Sequence, residues 1–250
     1  MSTMPEWVVR MVRRGVLLVA LVGIVGLGVA GCGSSAGDGT ASQAVATAPP
    51  DDDACVTASE ESDWSVAKVI CTEAAELGNP EAMNRLALDA DRIGDTELAT
   101  SWWERAAALG NVNAMNNLGL KARSEGDVEA ATSWYEKAAA LGDARAMHHL
   151  GRLAQQAGDL TLAESWWEKA AAGGEPWAMF ELGVLANEAG DTASARTWWE
   201  QAAELDDSMA MYQLGVLAKQ AGDLKLAESW WQRAAELGDP DAVQALGESG

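Results

Sequence analysis

GDTELATSWWERAAALGNVNAMNNLGLKARSE (residues 94–125) is one turn of a pattern that returns every 32 residues. Its opening Gly94-Asp95 recurs as Gly126-Asp127, Gly158-Asp159, Gly190-Asp191 and Gly222-Asp223. Its Trp102-Trp103 recurs as Trp134-Tyr135, Trp166-Trp167, Trp198-Trp199 and Trp230-Trp231. Its Ala114-Met115 is preceded by Ala82-Met83 and followed by Ala146-Met147, Ala178-Met179 and Ala210-Met211. Three markers in phase over five copies exclude chance. A period in the range of about 20 to 50 residues means stacked supersecondary units. Such stacks build an extended binding surface rather than an enclosed active site.

Within one repeat, Asn79-Pro80 starts a helix, because Pro suits the first helical position. Met83, Leu86, Ala87 and Ala90 recur at i, i+3, i+4 and i+7, which is one helical face. Gly94 ends this helix, since Gly accepts the left-handed conformation, and Asp95 caps the next. Ala99, Trp102, Trp103, Ala106 and Ala107 mark the buried side of a second helix, which Gly110 ends. The unit is a helical hairpin that buries its apolar face only by stacking. Gly119, Gly151, Gly183 and Gly215 are expected to face the small residues Ala131, Ala163, Ala195 and Ala227 where the helices cross. Trp103, Tyr135, Trp167, Trp199 and Trp231 are then expected to fill the space between adjacent hairpins.

The order large apolar, Leu-Gly, Ala, aromatic, Ala resembles the tetratricopeptide repeat. The string WWERAAALGNVNAM (residues 102–115) is more similar still to its relative, the Sel-one-like repeat. That family typically ends its second helix A-A-x-x-G-x-x-x-A. Ala106, Ala107, Gly110 and Ala114 match it, and Ala138, Ala139, Gly142 and Ala146 repeat it. The resemblance covers residues 63–247 and implies an all-α fold, a right-handed α-solenoid of helical hairpins, with a scaffold or adaptor role. There are departures. Ala90, Ala122, Ala154, Ala186 and Ala218 stand where tetratricopeptide units prefer an aromatic, and the longer Gly-rich loop of Sel-one-like repeats is absent. Residues 54–250 read as one repeat domain: a degenerate first unit over 54–78, five repeats over 79–238, and a terminal half-repeat over 239–250.

Residues 1–31 read as a signal peptide, with Arg10, Arg13 and Arg14 ahead of an apolar run over 16–30. As a helix that run would be about 22 Å long, short of the roughly 30 Å hydrocarbon core. Val29-Ala30-Gly31-Cys32 resembles the lipobox of bacterial lipoproteins. This implies that Cys32 receives a diacylglyceryl group and becomes the first residue of the mature chain. Two acyl chains suffice for stable anchoring. Gly26, Gly28 and Gly31 spell a dinucleotide fingerprint, but they lie inside the signal with no strand before them, so that reading is rejected. After Cys32, residues 33–53 carry no apolar period, so 32–53 reads as the lipidated Cys and a flexible tether. Its root-mean-square span is on the order of 25 Å. Cys55 and Cys71 are the other cysteines, and an even pair in an exported chain points to a disulfide.

The chain carries 17 basic and 38 acidic residues, a net charge of −21. Loss of residues 1–31 removes three Arg and one Glu, leaving a net charge of −23. A surface this acidic repels nucleic acid, whose binding relies on Lys and Arg. It also disfavours docking on anionic lipid, which leaves the membrane to the anchor.

First-helix positions that do not pack vary along the chain while packing positions repeat. One row reads Asn84, Asn116, His148, Phe180, Tyr212. Others read Leu88, Leu120, Arg152, Val184, Val216 and Glu81, Asn113, Arg145, Trp177, Met209. The fourth and fifth repeats are thus apolar here, with Trp177, Phe180, Val184, Met209, Tyr212 and Val216, a composition that marks protein-binding patches. His148 and His149 read as surface histidines. Adjacent helical positions diverge by about 100°, so they do not form the i, i+4 metal pair. No catalytic site, metal or cofactor is expected. The expected partner is an envelope protein or an extended peptide, on the periplasmic or outer-surface side of the cell membrane. The rival readings are a glycan or cell-wall module that stacks sugars on the outer Trp row, and a spacer without a specific ligand.

Overall fold

The Gly-Asp pair both closes one helix and opens the next. Gly94 has φ +84°. Its amide donates to the Asp91 carbonyl at 2.9 Å, and the Asp95 amide donates to the Ala90 carbonyl at 2.8 Å. This paired closure satisfies carbonyls that the helix end leaves orphaned. The Asp95 carboxylate then accepts from the Leu98 amide at 3.1 Å, so the same residue caps the following helix. Asn79, Asn111, Asp143 and Asp207 cap the first helices in the same way. One turn departs: Asp206 takes φ 60° where its counterparts are Gly. A non-glycine there costs about 1 kcal/mol.

The computed structural model describes Cys55 and residues 64–249. Residues 1–31, read as a signal peptide, and residues 32–53, read as a lipidated Cys and tether, lie outside the described residues. Over the described residues 64–249, twelve helices follow one another: α1 Trp64–Glu76, α2 Pro80–Arg92, α3 Thr96–Ala108, α4 Val112–Ser124, α5 Val128–Ala140, α6 Ala144–Gln156, α7 Leu160–Ala172, α8 Pro176–Glu188, α9 Thr192–Glu204, α10 Ser208–Gln220, α11 Leu224–Glu236 and α12 Pro240–Ser249. Among the described residues there is no strand. From α2 to α11 every helix has 13 residues and every link has three, which fixes the 32-residue period. Helices α2–α3, α4–α5, α6–α7, α8–α9 and α10–α11 form hairpins. Each helix packs most closely on its hairpin partner and less closely on the adjoining hairpin. The fold is an all-α solenoid, as the period predicts. Among the described residues no helix is long and apolar enough to cross a membrane. A disulfide joins Cys55 to Cys71 across 16 residues, a closure that stabilises by about 3 kcal/mol.

The core corrects one expectation. The bulky second aromatic does not only line the space between hairpins, where Tyr135 meets His149 of the next hairpin. It sits inside its own hairpin, on the glycine of the first helix. A Cβ placed on Gly119 would overlap the Tyr135 ring, and one on Gly151, Gly183 or Gly215 would overlap Trp167, Trp199 or Trp231. The small face of each glycine is therefore filled by a ring rather than by the alanine of the facing helix. The indole Nε1 of Trp167, Trp199 and Trp231 donates to the carbonyls of His148, Phe180 and Tyr212 at 3.2–3.3 Å. Trp167 is 0% exposed. Truncating a ring so buried removes about 3–5 kcal/mol.

The first hairpin serves as an internal control. It carries Ala87 where the others carry Gly, and Trp103 Nε1, though buried, has no hydrogen-bond partner. Gly183→Ala imposes the same obstruction on Trp199. Overpacking costs about 1–3 kcal/mol and loss of the indole bond about 1 kcal/mol, while Ala gains about 1 kcal/mol as a helix former. The expected net loss in urea unfolding is about 2 kcal/mol. A loss below about 0.5 kcal/mol would show that the ring does not depend on the missing Cβ.

Candidate functional site: the face of the first helices

The indole bonds have a consequence on the opposite side of α6, α8 and α10. The accepting carbonyls belong to His148, Phe180 and Tyr212, whose side chains form one of the varying rows. Core rings thus fix the backbone that presents this row.

At the apolar end, Trp177 on α8 is 51% exposed and Met209 on α10 is 44% exposed. Phe180, Val184, Tyr212 and Val216 are half-buried and pack partly on the core beneath. The six residues therefore make two exposed points over a half-buried apolar floor, which is less open than the sequence implied.

Toward α2 the same face becomes polar and hollow. A cavity of about 520 Å³ opens between α2, α4, α6 and α8. Asn84, Asn113, Asn116 and Asn117 line it with Glu81, Arg85, Arg145 and His149, the exposed Leu88 and Leu120 add apolar surface, and Trp177 also lines it. Of the six apolar residues only Trp177 reaches it. Polar ties run from repeat to repeat: Asn117 donates to Asn84 at 3.2 Å, Asn116 to Asp143 at 2.9 Å, and Asn111 to Glu81 at 3.1 Å. Arg145 donates to Asn113 and lies 3.5 Å from the Asp143 carboxylate. Sequence reasoning passed over the row Arg85, Asn117, His149, Glu181, Gln213. Its signal was the same internal variation one position further along each helix.

The histidines are a second correction. His148 is 3% exposed and His149 is half-buried. Because the two positions diverge around the helix, one of them turns inward. His149 stacks on Tyr135 with ring centres 4.8 Å apart, and His148 meets the edge of Trp177 at 5.8 Å. Both His148 nitrogens, His149 Nδ1, the Tyr135 hydroxyl and Asn116 Oδ1 are buried without a hydrogen-bond partner. Burial, then the neighbouring His149, Arg152 and Arg123, lowers the His148 pKa from 6.5 to about 3. Burial, then Arg123 and Arg152, lowers that of His149 to about 4. Burial likewise raises the Tyr135 and Glu181 pKa values. Among the described residues no three His, Cys, Asp or Glu side chains converge as a metal site.

The outer Trp row is largely covered. Arg105, Lys137, Lys169 and Arg233 lie 3.8–4.8 Å from the ring centres of Trp102, Trp134, Trp166 and Trp230. One face of each of these four rings is thereby taken, which counts against stacking on sugars.

The lowered histidine values carry a stability consequence. Below pH 6.5 the unfolded chain binds protons that the folded chain refuses, so stability is full above pH 6.5 and falls as the pH drops toward 4 and 3. Between pH 7 and 5 the expected loss is about 2 kcal/mol per histidine. Thermal melts across this window should show a falling midpoint, and His148→Phe should flatten the slope by roughly half. An unchanged midpoint from pH 7 to 5 would place both rings in water.

Comparison with known proteins agrees with this geometry. The Sel1 repeat profile matches residues 80–111, 112–143 and 208–239, and a tetratricopeptide repeat profile matches 144–169 and 176–201. Together they take in more than half of the chain. No curated protein matches it by sequence. Among solved structures, a Sel1 repeat protein from Oxalobacter formigenes superposes with a TM-score of 0.71 at 23% identity, over 79% of this chain and 89% of that one. The protective antigen c5321 of uropathogenic Escherichia coli, described as displaying an SLR fold, gives 0.61 at 23% identity, over 76% of this chain. This chain spans 46% of the antigen's length. The pilF protein of Pseudomonas aeruginosa gives 0.60 at 19% identity, over 80% of this chain and 96% of that one. At these identities the likeness is one of fold. Repeats of these two kinds generally serve as protein-interaction scaffolds. In period, in the packing of its hairpins and in both profiles, the chain belongs to the Sel1 and tetratricopeptide repeat proteins.

Proposed function

We propose that this protein is a lipid-anchored scaffold of the cell envelope that holds a partner polypeptide on the face of its first helices. The observation that carries this reading is the pairing of exposed Trp177 and Met209 with an amide-lined hollow on one continuous face. Exposed aromatics beside a concavity are the usual anchors of protein recognition. The amides supply donors and acceptors suited to main-chain groups of an extended segment. The two ends of the face ask for different chemistry: apolar side chains near α8 and α10, and polar backbone near α2 and α4.

Localisation rests on the N-terminal sequence. The signal-like run and the lipobox-like Val29-Ala30-Gly31-Cys32 support a location of the repeats outside the cytoplasm, with acyl chains on Cys32 as the anchor. A Cys55–Cys71 disulfide suits an oxidising compartment.

Two experiments test these points. Full-length protein, extracted from envelopes in mild detergent, is used for affinity capture beside a Trp177→Ala/Phe180→Ala/Tyr212→Ala variant of unchanged helical circular dichroism. The expected result is a protein retained by the wild type and lost from the variant. Equal retention by both would move the site off this face, and retention of nothing by either would favour a spacer. Separately, Cys32→Ala should shift the protein from the detergent phase to the aqueous phase on cloud-point partition. Continued detergent partition of that variant would rule out Cys32 as the anchor.

A further inference from the structure

Between one hairpin and the next, on the side of the second helices, the structure forms a crevice at equivalent places along the solenoid. Three of these crevices can be compared residue by residue, because the period maps one on another. Between α1 and the first hairpin, the crevice is lined by Lys68, Asp89 and Trp102, and Arg105 lies over the Trp102 ring at 4.2 Å. Between the first and second hairpins it is lined by Glu97, Glu104 and Lys121, while Lys137 lies over Trp134 at 3.8 Å. Each of these two crevices is lined by one lysine of its own chain, Lys68 in the first and Lys121 in the second.

The crevice between the third and fourth hairpins holds none. It is a cavity of about 410 Å³ whose floor is Leu182, Leu185, Ala186 and Ala189. Trp198 forms one wall, and Glu164, Glu168 and Asp191 form the rim. Position by position the cations have been replaced. Glu164 stands where Lys68 stands in the first crevice, and Leu185 stands where Lys121 stands in the second. Gln201 stands where Arg105, Lys137, Lys169 and Arg233 cover the other outer rings. Asp191 is engaged as a helix cap, accepting from the Ser194 amide and hydroxyl, but Glu164 and Glu168 are exposed.

We propose that this crevice receives an arginine or lysine side chain from a partner polypeptide, whose cation meets the Trp198 wall beside the exposed Glu164 and Glu168. The chemistry is complementary at each level. The apolar floor accepts the methylene stem of such a side chain, whose charged head stays toward the rim. The Trp198 face attracts the cation through its ring quadrupole. Glu164 and Glu168 supply opposite charge beside it, in a chain whose net charge of −21 draws basic partners toward it. The site shares no residue with the face of the first helices, so it stands whether or not that face binds.

The test titrates full-length protein with the peptide acetyl-Leu-Arg-Leu-amide by isothermal calorimetry. The uncharged analogue, with citrulline for arginine, is the control. The expected result is saturable binding of the arginine peptide, weakened about tenfold or more for the citrulline peptide. Gln201→Lys should abolish it by supplying the cation from within, as in the neighbouring repeats, and the folded state should be unaffected. Gln220→Lys adds the same charge at an exposed site elsewhere and should leave binding unchanged. Glu164→Gln/Glu168→Gln should weaken it about tenfold. Absence of saturable binding, equal binding of the two peptides, or equal losses in Gln201→Lys and Gln220→Lys would overturn the proposal. The last of these would reduce the effect to bulk charge.

Discussion

A tryptophan ring resting on a glycine is the contact on which the rest of this solenoid depends. Without a Cβ, the first helix lets the Nε1–Cδ1 edge of the ring on the second reach its backbone. The indole N–H then reaches a carbonyl three residues before the glycine, in hairpins three, four and five. Apolar burial and a buried hydrogen bond come from one side chain, which is how an indole is best used inside a protein. The same bond ties the core to the varying face, because the accepting residue belongs to a row whose side chains, buried in His148 and half-buried in Phe180 and Tyr212, differ from repeat to repeat. That side chain is free to vary, since its backbone rather than its chemistry meets the ring. The contrast between repeated packing positions and varied surface positions follows directly.

Where the contact weakens, the surface changes character. Ala87 stands in the glycine's place in the first hairpin, and Tyr135 replaces the indole in the second. In these two hairpins Trp103 Nε1 and the Tyr135 hydroxyl are left unpartnered. The polar end of the face lies over them. There, amide side chains bridge adjacent repeats: Asn117 to Asn84, and Asn116 to Asp143. The apolar end lies over the hairpins whose indoles are satisfied. His148 sits at the junction, buried and without partners, between the amides and Trp177. Unsatisfied polar groups in a low-dielectric interior are costly. Apart from Trp103 Nε1 in the first hairpin, they gather around Asn116, Tyr135, His148 and His149.

Most of the fold was legible in the sequence because each signal acted locally. The Gly-Asp pair specifies a left-handed closure and a cap within four residues, and no distant contact alters it. The placement of the second aromatic was not legible. Gly183 and Trp199 are 16 residues apart, and that spacing suits a ring inside its own hairpin as well as one between hairpins. Only the missing Cβ against the ring decides it. His148 was misjudged for a related reason. Two adjacent polar residues on a helix cannot both face solvent when the neighbouring helices cover one of the two directions. On the surface, the variation between repeats marked the right helices. It missed the row containing Asn117 and His149, because a hollow is a property of four helices together.

Cations are scarce in this chain, and their placement is informative for that reason. Arg105, Lys137, Lys169, Lys219 and Arg233 all lie within 5.5 Å of a Trp ring centre. Solubility alone does not require this, since an acidic excess already disperses the protein. A cation over an outer ring covers apolar surface that would otherwise face water, and it does so with its methylene stem as well as its charge. Each repeat therefore has reason to keep one. A repeat that gives up the cation while keeping the ring, the apolar floor and the acids leaves a surface whose favourable covering must come from elsewhere. Exposed apolar area of that kind is stable only when it is small or when something else covers it. The period makes the loss visible: against four outer rings that carry a cation, half-buried Trp198 with Gln201 in the cation's place is a departure from a rule the chain itself sets.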